Sequence, residues 1–222
     1  MIWYVVTDTD DNYRKSSVFY NHKFIFERMA EDNCLILHYK QVNQKLFSDH
    51  RPWAICHSGG SAMYDDYDVL QNEDYRLCIT QWDVPQIGFC GGHQIIAAQF
   101  GSKIGPIRSL GQDEPDLNPW YCPGQYKEWG VYPVRIVRDD PIFEGLGSII
   151  RVQEYHFWEV KELSPDLILL ASSDNCMVQA YVHSKKPIYG TQFHPEQSSD
   201  NYPDGFRVLQ NFFSIARKRR DS

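Results

Sequence analysis

The stretch Ile87-Gly88-Phe89-Cys90-Gly91-Gly92-His93-Gln94 sets a cysteine among glycines in the G-x-nucleophile-x-G form of a nucleophile elbow. A sharp strand-to-helix turn drives the nucleophile into a strained backbone conformation, and small residues at Gly88 and Gly92 keep neighbouring backbone from colliding. Cys90 then projects toward solvent beside the free N–H groups that open a helix, where the macrodipole favours negative charge on sulfur. A buried structural cysteine followed by a glycine-rich turn would carry the same letters, so the elbow needs partners.

A cysteine nucleophile needs a base to take its proton and later protonate the leaving group, and the base needs an orienting acceptor. Thr191-Gln192-Phe193-His194-Pro195-Glu196 supplies both. At the end of a strand, residues i and i+2 point to the same side, so Glu196 can reach the imidazole of His194 while Pro195 stiffens the segment. Attack on an amide also creates an oxyanion, which backbone N–H groups can meet. Gly91 follows the nucleophile directly, and Ser58-Gly59-Gly60 could turn a second N–H toward the same point, although an ordinary Gly-Gly turn reads the same way.

These motifs need a scaffold, and the rest of the chain reads as one. Apolar runs at Ile2 to Thr7, Cys34 to His38, Trp53 to Cys56 and Gln86 to Cys90 look like short buried strands. Helical text lies between and after them, at Val18 to Ala30, Gln41 to Phe47, Tyr67 to Ile79 and Gly91 to Phe100, with Gly101 a C-cap. This alternation predicts an α/β fold: a doubly wound, mostly parallel central sheet with helices on both faces. Gly105 to Pro133 is rich in Pro, Gly and aromatics and predicts an irregular connection, either a plain surface crossing or one with a lid or binding role. Strands are expected at Tyr132 to Val137, Ile149 to Val152, Leu167 to Ala171, Val178 to Val182 and Ile188 to Phe193, and a closing helix at Phe206 to Ala216. No linker divides residues 1–222, so a single domain is expected.

The formal net charge of −7 and pI near 5.6 argue against a nucleic-acid partner. The basic run Arg217 to Arg220 reads as cations complementing a helix C-terminus. No stretch approaches the roughly 20 apolar residues that span a bilayer. Met1 to Val6 lacks the basic flank and cleavage site of a signal peptide, so no membrane partner and a cytoplasmic location are expected. The six cysteines are scattered without a CxxC pair, which suggests neither zinc nor a disulfide framework. Asp8-Thr9-Asp10-Asp11 is an acidic cluster, read mainly as a loop after the first strand.

At the elbow, the Ser-Gly-Gly stretch and the His-Pro-Glu stretch, the sequence resembles the class I glutamine amidotransferases of the triad type. Their elbow typically reads G-x-C-x-G-H-Q, and all three motifs occur here in the family's order. The resemblance runs from the first strand to the last helix. It implies the family's flavodoxin-like sheet with a small additional antiparallel element, Cys90, His194 and Glu196 as the catalytic triad, and Gly60 and Gly91 as oxyanion donors. It also implies Gln94 and Gly59 as glutamine-positioning residues and His93 as support for the elbow. Glu154-Tyr155-His156 occupies the place of a family motif that meets the α-amino and carboxylate end of glutamine, which implies substrate contacts from Tyr155 and His156. Three departures stand out: Ser61 where proline often follows Ser-Gly-Gly, Gly91 where a larger apolar residue is common, and a longer Gly105 to Pro133 segment.

The implied reaction is attack of Cys90 on the glutamine amide, loss of ammonia with His194 as proton donor, and hydrolysis of a γ-glutamyl thioester to glutamate. It needs no cofactor and no metal. The ammonia would pass to a separate synthetase subunit. A stand-alone γ-glutamyl amide or peptide hydrolase and a catalytically silent regulator of the same fold are the competing expectations.

Overall fold

In β1 (Ile2–Val6) every residue is buried, yet the strand serves two cores. Ile2, Tyr4 and Val6 join one hydrophobic cluster, and Trp3 and Val5 join another. Successive side chains leave a strand on opposite sides, so β1 must lie inside a layered arrangement with both faces covered. The computed structural model describes residues 1–221 and has that arrangement.

After β1 come α1 (Asp10–Lys15), α2 (Val18–Ala30), β2 (Cys34–His38), α3 (Gln44–His50), β3 (Ile55–His57), α4 (Glu73–Gln81), β4 (Gln86–Phe89) and α5 (Gly91–Gln99). The second half holds β5 (Lys103–Pro106), β6 (Glu128–Ile136), β7 (Ile149–His156), β8 (Trp158–Glu162), β9 (Leu167–Ser172), β10 (Ala180–His183), β11 (Ile188–Thr191) and α6 (Asp204–Arg220). The main sheet is nine-stranded in the order β2-β1-β3-β4-β11-β10-β9-β6-β7. Pairings from β2 through β11 are parallel, and those from β11 through β7 are antiparallel. β5 and β8 form a separate antiparallel pair. The predicted α/β class and parallel core stand, and the added antiparallel part comprises both this pair and the far side of the main sheet.

The core clusters take the two faces of the sheet. On one, Phe26 of α2 packs against Phe89 of β4 with ring centroids 5.8 Å apart, and Phe213 of α6 lies 6.2 Å from Phe26. Each such fully buried ring contributes about 1.5–3 kcal/mol. This packing fixes the carboxyl end of β4, one residue before Cys90. On the other face, Ile95, Ile96 and Ala97 of α5 pack with Trp3, Tyr75 and Ile79.

Several elements depart from the sequence-based expectation. The helix expected from Tyr67 begins at Glu73, where the Asn72 side chain caps it by accepting from the Tyr75 N–H. α1, β5 and β8 were not anticipated. Their sequences, DDNYRK, KIGP and WEVKE, are short and polar or broken by Gly and Pro, and β5 and β8 exist only by pairing with each other. β6 also begins at Glu128, inside the segment expected to be irregular. The basic run lies in the last turn of α6, where Arg217 donates to the Ala30 carbonyl and Arg219 pairs with Asp83. Among the described residues no helix is long and apolar enough to cross a membrane.

The segment between β5 and β6 is tied down by charge. The Lys127 side chain is fully buried, and its Nζ donates to Asp116 Oδ1 (2.6 Å) and the Gln125 carbonyl (3.0 Å). Arg108 clamps Glu114 and lies 4.1 Å over the Tyr126 ring. Lys127→Ala is therefore expected to free the segment, read as faster limited proteolysis within residues 107–127 and a higher KM for substrate, because Asn118 and Tyr121 line the cleft described next.

Candidate active site

β4 and β11 are parallel neighbours, with Gly88 opposite Gly190 and Phe89 opposite Thr191. Their carboxyl ends therefore leave the sheet side by side, and the Cys90 N–H donates to the Thr191 carbonyl at 2.8 Å. Cys90 sits at φ 47°, ψ −104°, a conformation that an L-residue holds at a cost of about 1–3 kcal/mol, and α5 starts at the next residue. The turn closes because no side chain obstructs it. A Cβ at Gly88 would fall 2.5 Å from the Gly92 carbonyl carbon and 2.8 Å from the His93 nitrogen. Gly88→Ala should therefore lower stability by about 1–3 kcal/mol or more in urea denaturation, since relief requires the elbow backbone to move.

β11 runs on to His194, whose N–H donates to the Gln153 carbonyl at 2.8 Å. The His194 imidazole stands beside the Cys90 side chain across Gly59, both lining one cleft, and its Nδ1 lies 2.7 Å from Glu196 Oε1 and 3.2 Å from the Gln197 amide nitrogen. Both His194 and Glu196 are buried. Burial opposes charge on His194, but the Glu196 carboxylate and Cys90 outweigh it, so the imidazole is held well above its usual range. Burial likewise opposes charge on Glu196, and His194 overcomes it, lowering the carboxyl. A sulfur, an imidazole and a carboxylate thus stand in series, an arrangement that can move a proton off the thiol and onto a leaving group.

The two glycines expected to donate lie side by side. A Cβ on Gly91 would fall 2.8 Å from the Gly60 nitrogen, so these backbones touch beside the sulfur. Gly91 opens α5, and the first N–H groups of a helix lack intrahelical partners. Gly59 lies under the pair, its Cα direction aimed at His194 Cε1 and Cys90 Cβ.

Cys90 lies between two spaces. A narrow cavity is lined by Gly60, Tyr64, Gln94, Tyr121, Tyr155 and Trp158 among others, and a much wider cleft opens past His194, lined by Asn12, Phe19, Asn118, Trp129 and Tyr155 among others. The Tyr155 carbonyl is 3.9 Å from Cys90 Sγ. Gln94 holds its amide on the cavity wall by donating to the Trp158 carbonyl (2.7 Å) and Gln192 Oε1 (3.0 Å), while its own oxygen accepts from Tyr64 (2.8 Å) and keeps a second lone pair. His156 also borders the cavity, but both its ring nitrogens face protein oxygens. Neither nitrogen is left for a ligand. The His93 ring is buried beneath the elbow, 4.7 Å from the Tyr181 ring.

Comparison with known proteins bears on the chemistry. The family profile described as "Glutamine amidotransferase class-I" matches residues 19–216. The chain belongs to the class-I glutamine amidotransferases. It is 35% identical over 167 residues to the glutamine-hydrolysing GMP synthase subunit of Pyrococcus abyssi, covering 74% of this chain and 76% of the relative. The protein of the same description from Archaeoglobus fulgidus is 37% identical over 143 residues, 64% of this chain and 68% of the relative. Among solved structures, a GMP synthase subunit from Thermoplasma acidophilum superposes with a TM-score of 0.74 at 26% identity, covering 100% of this chain and 98% of that one. A glutamine amidotransferase of Thermotoga maritima gives 0.62 at 17% identity, covering 100% and 87%, and shares the fold.

In this amidotransferase, the serine that stands in place of proline after Ser-Gly-Gly is part of a clamp. The Ser61 N–H and hydroxyl both donate to Asp8 Oδ2, at 2.9 and 3.0 Å, and Asn12 donates to Asp8 Oδ1 at 2.9 Å. Asp8 thereby braces the Gly59 to Ser61 loop from the end of β1. The acidic cluster after β1 was the only signal for this role. Tyr64, Tyr121 and Trp158 were equally unmarked, since aromatics in loops reveal a cavity only once the chain has folded.

Proposed function

We propose that the chain hydrolyses the side-chain amide of glutamine through a γ-glutamyl thioester on Cys90, with His194 as proton carrier and Glu196 as its orienting carboxylate. The Gly60 and Gly91 N–H groups receive the oxyanion. Glutamine occupies the narrow cavity, held by Gln94 and by the Gly60 and Tyr155 walls, with Gly59 bordering the cleft beside the sulfur, and its γ-carbon faces the sulfur. Residues 1–222 act as one glutaminase domain in the cytoplasm. The ammonia goes to a separate synthetase subunit, and the named relatives point to a glutamine-hydrolysing subunit of a GMP synthase. What carries this reading is the Cys90 thiol, held at a strained corner beside an imidazole that is itself paired with a buried carboxylate.

One observation favours a second reading. His194 lines the wide cleft, so the leaving group departs there, and the space far exceeds what ammonia needs. A partner subunit can seal that cleft, or a bulky amine can occupy it, as in a stand-alone γ-glutamyl amide hydrolase. The test compares kcat/KM for glutamine with that for γ-glutamyl alkylamides. The proposal expects glutamine to be preferred by at least about tenfold, the scale of discrimination that a fitted pocket provides. Preference for the alkylamide would replace it with the second reading.

A further inference from the structure

The β6–β7 pairing gathers ionisable side chains behind the cavity wall. Glu128 is the cross-strand partner of His156, and Glu154 precedes His156 by two residues, so all three leave the sheet on one face. Glu128 and Glu154 are 0% exposed and His156 is 2% exposed. His156 Nδ1 lies 2.8 Å from the Trp158 carbonyl oxygen, and Nε2 lies 3.0 Å from Glu128 Oε2 and 3.2 Å from Glu154 Oε2. A carbonyl oxygen can only accept, so Nδ1 carries a proton. Glu128 Oε2 also accepts from the Gln179 amide at 3.0 Å, so two donors converge on this oxygen when Nε2 carries the second ring proton.

The two carboxyl groups are not equivalent. Glu128 receives two donors, whereas both Glu154 oxygens lack a well-aligned donor. One buried imidazolium neutralises one carboxylate, and a second buried charge would stand uncompensated. Burial in turn raises the Glu154 carboxyl, favouring its neutral form. Of the neighbouring groups, His194 acts on Glu154 against burial without overturning it, burial pushes His93 down to about 3, and the Cys176 thiol stays protonated.

The Trp158 carbonyl that takes the His156 proton also accepts from Gln94 Nε2. We propose that His156 is a standing imidazolium, paired with Glu128 and not with Glu154, whose Nδ1–H fixes the Trp158 carbonyl and through it the Gln94 amide facing glutamine. His156 is then a positioning residue and makes no side-chain contact with substrate. Its effect on turnover rests on the glutaminase reading, and its charge state does not.

Nitrogen NMR of histidine-labelled protein should show both His156 ring nitrogens protonated and unchanged from about pH 6 to 9, across the range where an ordinary imidazole titrates. Glu128→Gln should raise KM for glutamine about tenfold with kcat changed less than about threefold, the loss expected when one buried hydrogen bond to a charged group is weakened. Glu154→Gln should leave both constants within about twofold, since an amide replaces a neutral acid. Labelling of Cys90 by iodoacetamide, which needs no glutamine pocket, should proceed at the wild-type rate in both variants. A neutral His156 signature, equal effects of the two glutamate variants, or a loss confined to kcat would overturn the proposal. So would stoichiometric zinc or manganese in the purified protein, because the three ligating atoms lie within 4.8 Å of one another. If Glu128→Gln fails to fold, or no form hydrolyses glutamine, the wild-type nitrogen signature alone decides.

Discussion

Cys90→Ala is expected to lower kcat for glutamine by at least about a thousandfold, with the melting temperature close to that of the wild type. No other thiol can substitute. Cys34, Cys56, Cys78 and Cys176 are buried in other parts of the structure, and Cys122, which is half-buried, does not border the Cys90 cavity. Alanine keeps the positive φ of the elbow at much the same cost as cysteine, so the fold should tolerate the change. Glutamate release and a thermal melt on the same preparation separate lost chemistry from lost structure. Turnover surviving in the variant would end the thioester mechanism, and no turnover in either form would favour the silent regulator.

His194→Ala should cost about a hundredfold to ten-thousandfold in kcat, the range for removing a general acid–base group. Alkylation of Cys90 by iodoacetamide should slow in parallel, because the imidazole no longer supports the sulfur's charge. Equal alkylation rates in wild type and variant would show that the pair is not coupled. Glu196→Gln keeps the shape but removes the charge that raises His194 and should give a smaller loss. Its effect on stability has a predictable sign. Glu196 is lowered from 4.5, so its contribution is present above that value and disappears as pH falls through the folded value. His194 is raised from 6.5, so its contribution is complete below that value and fades as pH rises through the folded one. The destabilisation by Glu196→Gln, followed by urea denaturation, should therefore be largest between pH 4.5 and 6.5 and shrink on either side.

The residues of the candidate site are legible because each belongs to a local signal. Gly88, Cys90 and Gly92 announce a strand-to-helix turn, and His194 and Glu196 share a side because they are two residues apart. Strands buried on both faces, such as β1, write themselves as continuous apolar runs. What sequence withheld depends on segments meeting across the fold. Ser61 acquires its role only when Asp8 arrives from the end of β1, and β5 and β8 have no reason to be strands except each other. The direction of the His156 ring is hidden for the same reason: its acceptor Glu128 lies on a strand whose start falls in a segment rich in Pro and Gly.

The adjacency of β4 and β11 bears on how the protein reaches its native state. β4 forms in the middle of the chain, and its neighbour on that side arrives only with the last strand. Contacts between distant segments close late because the intervening chain must first be ordered. During refolding, helical signal should therefore recover before the thiol becomes reactive, and a nascent polypeptide would carry the sulfur for much of its synthesis with no base to arm it.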